Sequence, residues 1–171
     1  MKAYTISYSQ KQAGFKVDTR EHILEVDVEP ITHKLTAQLK KTLVVEGKDE
    51  TILGDTPVKL MMKLHQLYSG TVKFESGNST ILDYSKAQYI HDNFGDAKIG
   101  IFYKFKEELN ALKKIYGDQL CTELEEFDTT SQSIALQIVS GREGISLRKA
   151  EALVYYNIDF SATSYWQSRD S

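Results

Sequence analysis

KIGIFYKFKEELNALKKIY, residues 98–116, decides the fold. Its first part, Lys98–Tyr103 (KIGIFY), is apolar on both faces of the pleat. That is the pattern of a strand covered on two sides, as in a parallel sheet. Its second part, Phe105–Tyr116, changes period, with Leu109, Leu112 and Ile115 on one side of a helix. A buried strand that feeds an amphipathic helix is half of a β–α–β unit, so further parallel strands are expected downstream. Ile134–Val139 (IALQIV) is one such strand. Leu147–Leu153 reads as a short helix, and Val154–Ile158 as a third strand.

Upstream the signals are mixed. Met1–Tyr8 alternates weakly, Gln10–Gly14 looks like a turn, and His22–Val28 (HILEVDV) has the composition of a strand. Ile31, Leu35 and Leu39 recur every four residues after Pro30 and predict a helix with Lys34, Lys40 and Lys41 outward. Gly47–Glu50 breaks that unit with charge. Thr56–Tyr68 predicts a second helix, with Pro57 in its first turn and Leu60, Met61, Leu64 and Leu67 on one face. Val72–Asn78 reads as a hairpin turning at Gly77. Ser85 is expected to cap a helix through Ile90 and Phe94.

The chain has 171 residues, 41% hydrophobic and 11% aromatic, enough for a real core and too apolar for intrinsic disorder. No apolar run approaches the roughly 20 residues that span a bilayer, and MKAYTISYSQKQ lacks the apolar stretch of a signal peptide. No membrane role is expected. The single cysteine, Cys121, can form neither an intramolecular disulfide nor a structural zinc site, so a reducing, cytoplasmic setting is expected. A net charge of −3 and an isoelectric point of about 5.8 argue against a free-standing, non-specific DNA binder.

Most catalytic templates are missing. The sequence contains no GxxxxGK[ST], HExxH, CxxC or GxSxG. His22, His33, His65 and His91 are dispersed, without metal-ligand spacing. Cys121 reads as a buried, inert thiol. Glu123, Glu125, Glu126 and Asp128 fit no calcium loop and read as a solvated acidic face.

One segment stands apart. Ser140–Leu147 (SGREGISL) follows a buried strand and precedes the expected helix. In open α/β sheets ligands bind at the carboxyl ends of strands. Free N–H groups there, with the dipole of a following helix, suit phosphate or nucleotide. A tight turn needs two glycines as well, and both readings stand at this point.

Residues 137–170 resemble the end of the second RecA-like lobe of superfamily-two helicases, in the Swi/Snf-type translocase branch of the DEAD/DEAH group. Ser140–Leu147 is similar to that family's motif V, Ala-Gly-Gly-x-Gly-Leu-Asn-Leu. Asn157, Ile158, Asp159, Phe160 and Ser161 occupy its Asp-Pro-x-Trp-Asn-Pro stretch, and Gln167 falls where motif VI opens. KIGIFYKFKEELNAL (98–112) looks like motif IV, DYSKAQYI (83–90) like the family's Ser-Gly-Lys-Leu helix start, and LMMKLHQLYSG (60–70) like its Leu-Arg-x-Ile-x-x-His-Pro element. The likeness covers about residues 56–170, and its abbreviated motifs look most like phage or prophage helicases.

The resemblance implies an α/β fold: a RecA-like three-layer sandwich with a mostly parallel central sheet. Residues 1–55 would be a small strand-and-helix extension, and 56–171 the lobe. It implies an ATP-driven motor on DNA, with RNA as the other substrate. ATP and Mg²⁺ would be bound mainly by a partner N-terminal RecA-like lobe, which carries the phosphate loop. Gly144, Ser146 and Gln167 would face ATP, and Lys104, Lys106, Ser140, Gly141 and Arg142 the nucleic acid. Motif VI departs from the family: Ser171 stands where its arginine is expected, and Arg169 is out of register. That guanidinium stabilises charge in phosphoryl transfer, so this chain alone is expected not to hydrolyse ATP and to end within motif VI. A non-catalytic interaction module is the alternative. A Rossmann-like mononucleotide enzyme ranks behind it, for want of GxGxxG.

Overall fold

A computed structural model describes residues 4–12, 16–17, 22–138 and 147–157. In chain order the strands β1 (Tyr4–Gln12), β2 (Lys16–Val17) and β3 (His22–Val26) precede helix α1 (Pro30–Thr42). The hairpin of β4 (Val44–Glu46) and β5 (Thr51–Leu53), helix α2 (Pro57–Tyr68) and the hairpin of β6 (Thr71–Lys73) and β7 (Ser79–Ile81) follow. Then come α3 (Ser85–Phe94), β8 (Ile99–Tyr103), α4 (Lys106–Tyr116), β9 (Leu120–Cys121), α5 (Leu124–Thr129), β10 (Ser133–Gln137) and β11 (Ala152–Tyr155).

The protein is α/β. Its main sheet has the order β2-β1-β11-β8-β10-β9, with β3 also paired to β1. The four strands β11, β8, β10 and β9 are parallel. At the other side β1 runs antiparallel to β11, and both β2 and β3 run antiparallel to β1. The sheet is therefore mixed, with β8 at the centre of its parallel part.

Every residue of β8 is buried. Its two faces serve two cores. Ile99, Ile101 and Tyr103 pack with Ala87, Ile90 and Phe94 of α3 and Ala111, Leu112 and Tyr116 of α4. Phe102 packs on the opposite side with Ile134, Leu136, Leu153 and Tyr155, beneath Phe127, Leu147 and Ala150. Phe102 and Tyr155, level in the sheet, stack with centroids 5.0 Å apart. Gly100 shares this second face. A Cβ there would lie 2.4 Å from Leu147 Cδ1 and 3.2 Å from Leu153 Cδ2, so these two side chains fill the space that a side chain at position 100 would take.

A third core, Leu39, Val45, Ile52, Leu67 and Val72, joins α1, α2 and the two hairpins. Residue 55 falls inside this helix–hairpin unit, while β1 and β3 belong to the main sheet. Gly70 closes the unit. Its φ is +84°, its carbonyl accepts from the N–H groups of Leu82 and Asp83, and a Cβ would meet the Asp83 carbonyl at 2.3 Å.

Several expectations change. The helix expected at Leu147–Leu153 is absent: 147–151 is a turn, and β11 begins at Ala152. The Glu151 N–H donates to Lys98 O at 2.7 Å, which draws the chain into the sheet beside β8. The helix dipole invoked for a phosphate at 140–147 therefore loses its helix. The turn expected at Gln10 is strand, since β1 runs on to pair Lys11 and Gln12 with β2. Gly47–Glu50 turns a hairpin, with the Gly47 N–H on Glu50 O. Helix α1 buries Thr32, Thr36 and Leu39 and leaves Ile31 exposed, because Thr32 is drawn inward to Asp83. Met61 of α2 is likewise exposed. Ser85 is the first residue of α3 and not its cap; Asp83 Oδ1 accepts its N–H at 2.7 Å.

Candidate functional site

The carboxyl ends of β8, β10 and β11 meet at one edge, and the chain ties them together there. The Ile138 N–H donates to Tyr103 O at 2.7 Å, and the Tyr156 N–H to Phe102 O at 2.9 Å. Gln137 Nε2 donates to Lys104 O at 3.0 Å. The turn Tyr103–Lys106 thus sits between the exits of β10 and β11. In an open α/β sheet this is where ligands bind, outside strands that leave in different directions.

Glu108 organises the turn. It is fully buried in the first turn of α4. Its Oε1 accepts the N–H groups of Lys104 and Phe105, both at 2.8 Å, and its Oε2 accepts Asn157 Nδ2 at 2.6 Å. Burial pushes the Glu108 carboxyl up, against those hydrogen bonds and the nearby Lys86 charge, which favour the anion.

Lys86 of α3 is buried beside it. Its Nζ donates to Tyr156 O at 3.0 Å and lies 5.8 Å from the Tyr156 ring centroid. Burial brings its ammonium down to about 8, while the charges of Glu108 and Asp83 pull the other way. Asp83 completes the cluster and links it to the helix–hairpin unit. Its Oδ2 accepts from the Glu29 N–H and the Thr32 hydroxyl, each at 2.8 Å. Burial raises the Asp83 carboxyl, but the hydrogen bonds from Ser85, Thr32 and Glu29 outweigh it and hold the group below its ordinary value.

The two flanks of this edge differ in charge. Between β3 and α3 lies a groove of about 660 Å³ lined by Glu25, Asp27, Glu29, Asp83 and Asp92, with Tyr84. Beside the start of α4 is a smaller pocket of about 300 Å³, whose rim includes Lys73, Ser79, Lys106 and Glu107. A phosphate chain is repelled by the first flank and tolerated at the second.

Of the site residues expected from sequence, Lys104 and Lys106 lie in this turn and at the start of α4. Lys106 is exposed, and Lys104 is half-buried with its Nζ 5.6 Å from the Phe105 ring centroid. Ser140, Gly141, Arg142, Gly144, Ser146, Gln167 and Ser171 lie outside the described residues, as do Phe160, Tyr165 and Trp166. Tyr155 and Tyr156, whose alternation with apolar residues in sequence favours core packing over base stacking, are buried core residues. Cys121 is buried, and burial pushes its thiol up, away from a reactive thiolate. Among the described residues no group of three or more His, Cys, Asp or Glu side chains is placed to hold a metal ion, and no helix is long and apolar enough to cross a membrane.

The Asp83–Lys86–Glu108–Asn157 cluster was not anticipated. Glu108 had a sequence signal, a glutamate in the third position of a helix, where a carboxylate reaches back to free N–H groups. Lys86 had none, since a lysine one residue into a helix usually faces water.

No protein-family model, no curated protein and no solved structure matches this chain.

Proposed function

We propose that this chain is the second motor lobe of an ATP-driven nucleic-acid translocase of superfamily two, RecA-like in fold. Its role is to offer a phosphate-binding sheet edge to DNA and to complete an ATP site carried mainly by a first lobe with Mg²⁺. The observation that carries the reading is the convergence of three parallel strand exits on the Tyr103–Lys106 turn. Segments 139–146 and 158–171, which hold the motif V and motif VI likenesses, follow β10 and β11 directly in sequence.

In this reading Lys104, Lys106 and the 140–142 backbone hold one strand by its phosphates, and Gly144, Ser146 and Gln167 face ATP. Contacts to phosphate position a protein without reading bases. Hydrolysis in the complete motor changes the distance between lobes, and this edge carries the nucleic acid along. The chain has no phosphate loop of its own.

The test is fluorescence anisotropy with a labelled DNA duplex at low ionic strength. Lys104→Ala and Lys106→Ala are each expected to weaken binding of any sequence and to reduce the salt slope by about one. Variants that bind as the parent chain does would contradict the reading. A second reading, a docking module without catalysis, is favoured by the exposed apolar face of α2, where Val58, Met61 and Met62 are 78%, 53% and 42% exposed.

A further inference from the structure

Glu108 divides its two oxygens between two parts of the chain. One oxygen takes both N–H groups of the Lys104–Phe105 turn, and the other takes the side chain of Asn157, 49 residues away. Capping α4 needs no such arrangement. A glutamate in the third helical position reaches those N–H groups with one oxygen and can leave the other in water. Nor is stability a sufficient reason, because buried charged networks are often replaceable by apolar residues at little cost. What the buried carboxylate does that a surface cap cannot is fix the β8 exit against the β11 exit. Lys86 repeats the connection from α3, through its bond to Tyr156 O.

We propose that Glu108 is a positioning residue that couples the Lys104–Lys106 turn to the Tyr156–Asn157 exit of β11, so that displacement of either segment is transmitted to the other. The coupling rests on the motor-lobe reading for its purpose and on geometry for its existence. A lobe that must move nucleic acid when nucleotide changes needs its phosphate-contacting turn held rigidly to its neighbouring loops. Among the described residues, the bonds of Glu108 and of Lys86 are the side-chain links from α4 and α3 to that exit.

The experiment uses the whole chain and four proteins: the parent, Glu108→Gln, Asn157→Asp and the double variant. Glu108→Gln retains an oxygen for the two backbone N–H groups and can bond Asn157 once that amide turns its oxygen inward, so it is the neutral control. Asn157→Asp sets carboxylate against carboxylate. The double variant restores a hydrogen bond with its polarity reversed. Amide hydrogen exchange at Lys104 and Phe105 is read first. Coupling predicts faster exchange there in Asn157→Asp, about fivefold or more, and return toward the parent rate in the double variant. Parent-like exchange in a folded Asn157→Asp protein, or a double variant no better than Asn157→Asp, overturns the proposal. DNA affinity is read second. If exchange is coupled and the parent binds no DNA, the motor-lobe reading fails and the coupling stands. If the parent binds DNA and exchange is uncoupled, the reverse holds.

Discussion

At Asp83 a single carboxylate receives three hydrogen bonds, two from the start of α1 and one from the start of α3. Asp83→Asn replaces one acceptor oxygen by a donor facing donors. It is expected to cost about 2–3 kcal/mol, read as a lower urea midpoint. The folded-state value lies below the ordinary 3.8, so the unfolded chain takes up the proton first as pH falls. Asp83 thus contributes its full stability above about 3.8 and loses it below, and the gap between parent and variant is expected to close in acid. Lys86 has the same sign in an alkaline window, from burial and not from hydrogen bonding. Folded it releases its proton near 8, and unfolded near 10.5. Between those values the unfolded chain holds more protons, so the parent is expected to gain stability relative to Lys86→Met as pH rises from 8 to 10.5. A flat difference across that range would show that Lys86 is not desolvated as the fold requires. Neither residue announced itself in sequence, because each side chain is committed by partners more than 50 positions away.

Elements were legible where burial was symmetrical and long. The β8–α4 unit follows directly from KIGIFY and the helical spacing after it, and α2 starts at the expected proline, with Thr56 as its cap. The failures share a cause. Leu147–Leu153 has helical composition, yet the Leu147 side chain packs into the space beside Gly100, and pairing with β8 from Ala152 onward outweighs local propensity. The same packing makes a prediction. Gly100→Ala is expected to push Leu147 off the sheet and cost about 1–3 kcal/mol in thermal unfolding, and Leu147→Ala in the same chain should recover part of it. If Gly100→Ala is neutral, the turn at 147 does not pack as described.

For the molecule as a whole, net charge and fold pull in different directions. An α/β sheet with open strand exits is compatible with the proposed motor lobe, while a charge of −3 and a carboxylate-lined groove beside that edge leave Lys104 and Lys106 as the side on which the proposal places phosphate. Three of the four parallel strands, β8, β10 and β11, were readable from strand periods; β9 and the helix α5 after it were too short to show a period. The antiparallel edge was not readable, because β1 and β3 are alternating strands that carry no mark of which partner they take. The chain by itself is expected to show no ATP turnover, and turnover by the pure protein, abolished in Gly144→Asp, would contradict the division of labour between lobes. The most direct test of the phosphate-binding edge is the affinity of the parent chain for two DNA duplexes of unrelated sequence, titrated over salt. A phosphate-contacting edge of this charge is expected to bind both weakly and equally, with a Kd of about 10⁻⁴ M or weaker at physiological salt, tightening linearly in log–log form as salt falls. Salt-resistant binding, a marked preference for one sequence, or no binding even at the lowest salt would contradict it.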